Sequence, residues 1–167
     1  MNHIDFMRIG TPKIVFVWDG TDRFVEAADR FVSEIPHAVV HSLLAMPHES
    51  LHSYSLFREP QEEVESFQNR LQQEYAAAIA STHTLCRRSR LEILFGDRVY
   101  EAVRHTQIIR ATRILTPRFV QSKFSKWIHG DLNQRLVRKA ACPVVFLNAE
   151  SESSNSHLDQ TMTKETG

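Results

Sequence analysis

Trp127-Ile-His-Gly130-Asp131-Leu-Asn-Gln-Arg135-Leu-Val-Arg138-Lys139-Ala-Ala-Cys142-Pro143-Val-Val-Phe146-Leu147 reads as a glycine turn, a basic amphipathic helix and a short apolar run. Asp131 stands where a helix needs an acceptor for its free amides, and Leu132, Leu136 and Ala140 recur on one face. Arg135, Arg138 and Lys139 complement the negative end of the same helix. Val144 to Leu147 is an apolar run that reads as the fifth and last strand.

The same rhythm runs back through the chain. Lys13-Ile-Val-Phe-Val-Trp18 is a buried first strand that ends in Asp19-Gly20-Thr21. Phe24, Ala27, Ala28, Phe31, Val32 and Ile35 then line a helix closed by Pro36. His37 to Met46 reads as a second strand, followed by a polar connection from Pro47 to Pro60. A long helix begins near Gln61, with Val64, Phe67, Leu71, Tyr75, Ala78, Ile79, Thr82 and Leu85 as its buried stripe and Arg87 and Arg88 at its end. Leu91 to Phe95 is a third strand, Gly96-Asp97 a turn and N-cap, and Val99, Ala102, Val103 and Thr106 the inner face of a third helix. Arg113 to Thr116 is the fourth strand, with a loop through Trp127 leading to the helix of the opening stretch. Alternating strands and helices with right-handed crossovers imply a doubly wound α/β sandwich, a parallel sheet with helices on both faces.

Asp19-Gly20-Thr21, the Gly96-Asp97 turn, and Gly130 followed by its helix and Cys142-Pro143-Val144 together resemble the universal stress protein family over roughly Lys13 to Asn148. The resemblance implies a flavodoxin-like, adenine nucleotide alpha hydrolase-like fold. By analogy the five strands take the order 3-2-1-4-5, and ligands sit beyond the strand ends where that order reverses. This places Asp19, Gly20 and Thr21 opposite Thr116, Pro117 and Arg118, with Gly130-Asp131 folding over the same crevice.

In nucleotide-binding members of the family the first-strand Asp contacts the adenine end, and a Gly-x-x-Gly pair followed by Gly-Ser or Gly-Thr holds the phosphates. At the family's spacing those first two glycines fall on Pro117 and Val120. Pro117 has no amide hydrogen, and β-branched Val120 resists the positive φ that brings amides onto a phosphate. Asp131 replaces the hydroxyl residue with a carboxylate. Two unit charges ~4 Å apart at an effective dielectric of ~20 repel by about 4 kcal/mol, or ~1000-fold in affinity.

The expected activity is therefore binding without catalysis or a required cofactor, in stress response or as a regulatory partner of another protein. The alternative is an ATP or AMP sensor, with weak hydrolysis at most, that uses Asp19 and the basic loop 118–126, where Arg118 and Lys123 neutralise phosphate directly. No nucleophile elbow or Gly-x-x-x-x-Gly-Lys loop is present in the sequence.

The remaining signals are weaker. With 167 residues, 42% of them apolar, the chain is one domain's worth with enough material for a single core. Its formal charge is zero, so there is no global bias toward nucleic acid or anionic membrane. Residues 1–12 read as an N-terminal extension without a signal-peptide core, 13–148 as the domain, and 149–167 as a disordered polar tail. Cys86 and Cys142 read as buried thiols of a cytoplasmic protein. Nine histidines include His37 and His41 on one strand face and His48 and His52 in the polar connection. No Cys or carboxylate at ligand spacing completes either pair, and no metal site is expected.

Phe119, Phe124 and Trp127 interleave with Arg118, Lys123 and Lys126, a pattern that can stack single-stranded nucleic acid. Inward packing of these aromatics is the preferred reading, and nucleic acid is not an expected partner. Val144 and Phe146 lie on a strand at the expected sheet edge, which must be covered or it pairs indiscriminately. The family resemblance implies a symmetric homodimer through that strand, with Pro143 limiting the pairing.

Overall fold

The computed structural model describes residues 10–47 and 60–148. Residues 1–9 of the extension, the connection carrying His48 and His52, and the tail from 149 lie outside that description. Five strands, β1 (Lys13–Val17), β2 (Val39–Met46), β3 (Ser89–Phe95), β4 (Arg113–Pro117) and β5 (Val144–Leu147), form one sheet. All neighbours are parallel and the order is β3-β2-β1-β4-β5, as the sequence led us to expect.

Six helices connect or flank the strands among the described residues: α1 (Val25–Ser33), α2 (Pro60–Ile79), α3 (Leu85–Arg88), α4 (Arg98–Ile109), α5 (Lys123–His129) and α6 (Leu132–Lys139). Successive β1 residues serve opposite faces, which is why the strand carries no polar alternation. Phe16 and Trp18 pack with Val25, Ala28 and Val32 of α1 and with Leu71, Tyr75 and Ile79 of α2. Val15 and Val17 pack with Val99 and Ala102 of α4 and Leu136 of α6. Fully burying each such side chain is worth roughly 1.5–3 kcal/mol. No helix among the described residues is long and apolar enough to cross a membrane.

A polar chain threads the α2 side of this core. Tyr75 stacks edge-on against Trp18 at 5.0 Å, its hydroxyl meets Ser42, and it donates to Ser89 at 2.9 Å. Ser89 in turn donates to the Leu85 carbonyl. Each hydroxyl is thereby satisfied, which is the condition for burying it. Burial raises the Tyr75 pKa against the two serine hydrogen bonds.

Four expectations are corrected. The long helix does not run to Arg88 but ends at Ile79, where Thr82 turns the chain by donating from both its amide and its hydroxyl to the Ile79 carbonyl. The carboxylate of Asp29 on α1 then accepts the amides of His83, Thr84 and Leu85 and starts α3. β2 begins at Val39, and His37 occupies a left-handed turn with φ of 59°, so His37 and His41 do not share a strand face. The loop before α6 contains a further helix, α5, capped by Ser122, which accepts from the Ser125 amide. Cys86 is exposed, and only Cys142 is partly buried, with its thiol pKa raised by that burial.

Candidate functional site

β1 and β4 are neighbours running in the same direction, with Phe16 beside Leu115, so the turn after β1 and the end of β4 emerge side by side. Sequence reasoning placed the crevice at this point of strand-order reversal. Asp19 Oδ1 accepts from both the amide and the hydroxyl of Thr21, at 3.0 and 2.8 Å. Gly20 between them has φ of 88°, which its missing Cβ permits. The indole of Trp18 donates to the Thr21 carbonyl and fixes the turn from below. A cleft of about 570 Å³ opens between this turn and α2 rather than toward β4, lined by Trp18, Gly20, Thr21 and Asp22 on one side and by Glu74, Ala77 and Ala78 of α2 on the other.

On the β4 side the expected residues behave differently. Thr116 is fully buried and its hydroxyl donates to the Pro117 carbonyl at 2.9 Å, so it is not turned to a ligand. Arg118 lies over the Phe146 ring of β5 with its guanidinium carbon 4.6 Å from the centroid. Lys123 is exposed at the start of α5. Gly130 closes α5 with φ of 72°, a conformation glycine adopts without strain.

Asp131 caps α6, its Oδ1 accepting the Asn133 amide at 2.9 Å and the Gln134 amide at 3.3 Å. Those amides, with Gln134 foremost, and Lys126 at 3.8 Å hold its carboxyl below the ordinary value. The Leu132 amide is taken by Gln121 Oε1 at 2.8 Å, and Gln121 Nε2 donates to the Gly130 carbonyl. Asn133 exchanges two hydrogen bonds with the Phe119 backbone. The first amides of α6, which in a phosphate loop would face an anion, are thus bound by side chains of the same chain. Sequence reasoning foresaw Asp131 in this role but missed Gln121 and Asn133, whose partners lie across the loop and leave no local signal.

Of the three loop aromatics, Phe119 is buried beneath Arg98, whose guanidinium carbon lies 5.2 Å from the ring centroid. Phe124 and Trp127 correct the inward reading: they stack on each other at 6.3 Å and are 70% and 82% exposed.

Sheet order and two-sided helix packing define the class: the chain has the universal stress protein fold. Among solved structures it is similar to the hypothetical protein PH0823, at 22% identity over 86% of this chain and 99% of that one, with a TM-score of 0.60. It is also similar to a universal stress protein in complex with cAMP, at 14% identity over 83% and 98% of the two chains and a TM-score of 0.53. A protein of the universal stress protein family from Burkholderia pseudomallei matches at 19% identity over 81% and 95%, with a TM-score of 0.53. No protein-family model matches the sequence, and no curated protein matches it at a significant level.

Proposed function

We propose that this chain is a universal stress protein family member that acts by binding rather than turnover, with a crevice that does not grip a triphosphate. The observation that carries this reading is the closed start of α6, where Gln121 and Asp131 hold the Leu132, Asn133 and Gln134 amides. A phosphate entering there must displace a carboxylate and meet its charge. Asp19 is engaged by its own Thr21, which suits a ligand anchor better than a general base. The same reading makes the chain a cytoplasmic homodimer through β5, a sheet-edge strand whose Val144 and Phe146 are partly exposed, and a regulatory partner in stress response.

A second reading is an adenine-nucleotide sensor with a smaller phosphate demand. The fold relative that holds cAMP accommodates a ligand with one phosphate, which needs fewer amides than a triphosphate. Arg118, Lys123 and Lys126 supply positive charge near the loop, and AMP is the ligand of this reading.

Denaturing the purified protein and chromatographing the supernatant for adenine nucleotide separates the two. The first reading expects no released nucleotide and no thermal shift in millimolar ATP. Stoichiometric ATP in the supernatant overturns it, and a shift with AMP or cAMP alone establishes the second.

A further inference from the structure

His41 of β2, Glu92 of β3 and His105 of α4 come from three separate elements and meet on the face of the sheet that α4 covers. The register pairs His41 with Arg90 and Leu43 with Glu92, so Glu92 lies diagonally one pleat repeat along from His41 and on the same face. α4 runs back over that face and presents Ala102, His105 and Thr106 inward. His41 Nδ1 is 3.2 Å from Glu92 Oε1, and His105 Nδ1 is 3.4 Å from Glu92 Oε2. The imidazole centroids are 5.4 Å apart. One ligand atom from each residue lies within 4.8 Å of the others.

We propose that His41, Glu92 and His105 form a three-ligand site for a divalent transition metal of the zinc class, separate from the crevice at the strand ends. Bonds of about 2.0–2.1 Å to a tetrahedral ion put neighbouring ligand atoms roughly 3.3 Å apart. Each His–Glu separation is close to that edge, with His41 facing one carboxylate oxygen and His105 the other, and the three ligand atoms, all within 4.8 Å of one another, close onto an ion by side-chain adjustment. Two imidazoles and one carboxylate are a zinc donor set that leaves a fourth position to water. The set lacks the thiolates that select copper(I) and offers too few oxygens for calcium or magnesium.

The surroundings agree with this assignment. His105 is 93% buried by its side-chain exposure of 7%, and Nδ1 is the ring nitrogen it turns to Glu92. His41 and Glu92 are 25% and 42% exposed, which gives an ion a path from solvent along the edge strand β3. A bound ion clamps α4 to β2 and β3, and the nucleotide crevice has no part in it.

The test uses the full chain stripped with chelator and titrated with ZnCl2, with stoichiometry and affinity read by calorimetry and stability by thermal denaturation. The expected result is one tight zinc per chain, a raised Tm, and, with cobalt(II) in place of zinc, the intense visible absorption of a four-coordinate ion. Glu92→Gln, which keeps the shape of a half-exposed side chain, and His41→Ala each weaken this zinc by more than about tenfold, since even outer partners of a ligand cost that much. His37→Ala and His83→Ala leave it unchanged. No stoichiometric zinc on the native chain overturns the proposal, and so does zinc bound equally by Glu92→Gln, which would mark adventitious binding to other histidines.

Discussion

Arg135 Nη2 donates to Asp97 Oδ1 at 2.7 Å, joining the second turn of α6 to the cap of α4. Asp97 also accepts the Tyr100 amide at 2.8 Å, so one carboxylate starts one helix and anchors another. Burial pushes its pKa up, but the Tyr100 amide and Arg135 outweigh that and leave it lowered. A depressed carboxyl contributes stability that is present above the unfolded value of about 3.9 and is lost as pH falls through the folded value. Asp97→Asn keeps the cap and removes the charge. It should destabilise the fold at neutral pH by no more than about 1 kcal/mol for a half-exposed pair, read as a lower Tm, and the two melting curves should converge as the buffer is taken below the folded value.

Asp131→Ser keeps an acceptor at the α6 cap while removing the charge that faces an incoming phosphate. ATP affinity measured by calorimetry should rise by roughly tenfold, since a like charge is removed from beside the phosphates. An unchanged affinity would show that Gln121, Pro117 and Val120, rather than Asp131, are the obstacle.

Asp29→Ala removes the acceptor of three backbone amides at the start of α3. The loss should be about 2 kcal/mol, at the upper end for a helix cap. Hydrogen exchange should show it first at His83, Thr84 and Leu85, with the amides of α2 protected as before.

Gly96 has φ of 154° and sits where a Cβ would lie 3.0 Å from Glu101 Oε1 and 3.2 Å from its Cγ. Gly96→Ala should cost about 1–3 kcal/mol from backbone strain, read as a lower urea midpoint. Adding Glu101→Ala should restore only part of it, since the strained φ remains.

Phe146→Glu tests the β5 interface. The native chain should sediment as a dimer and the variant as a monomer with unchanged far-UV circular dichroism. A native monomer would remove the dimer from the proposed function.

The Asp97 and Asp131 caps and the inner stripes of α1, α4 and α6 were legible in the sequence because each depends on spacings of a few residues, whereas the strand order came from the family resemblance and not from any local spacing. α5 was not, because Phe124, Trp127 and Ile128 face outward and leave no core-facing stripe to read. The break after α2 was hidden for another reason: Asp29, which stabilises the new start, belongs to a different helix.

Local periodicity and capping therefore determined the elements and their succession, since the residues that make up one apolar face lie three or four apart on a helix and two apart on a strand. Only the tertiary structure decided that Gln121 and Asn133 close the loop onto α6, that Arg118 lies on Phe146, and that His41 and His105 flank Glu92. Hydrogen bonds and ligand bonds act over a few ångströms in space, and the parallel sheet, with its crossover helices, brings together residues that the chain keeps far apart.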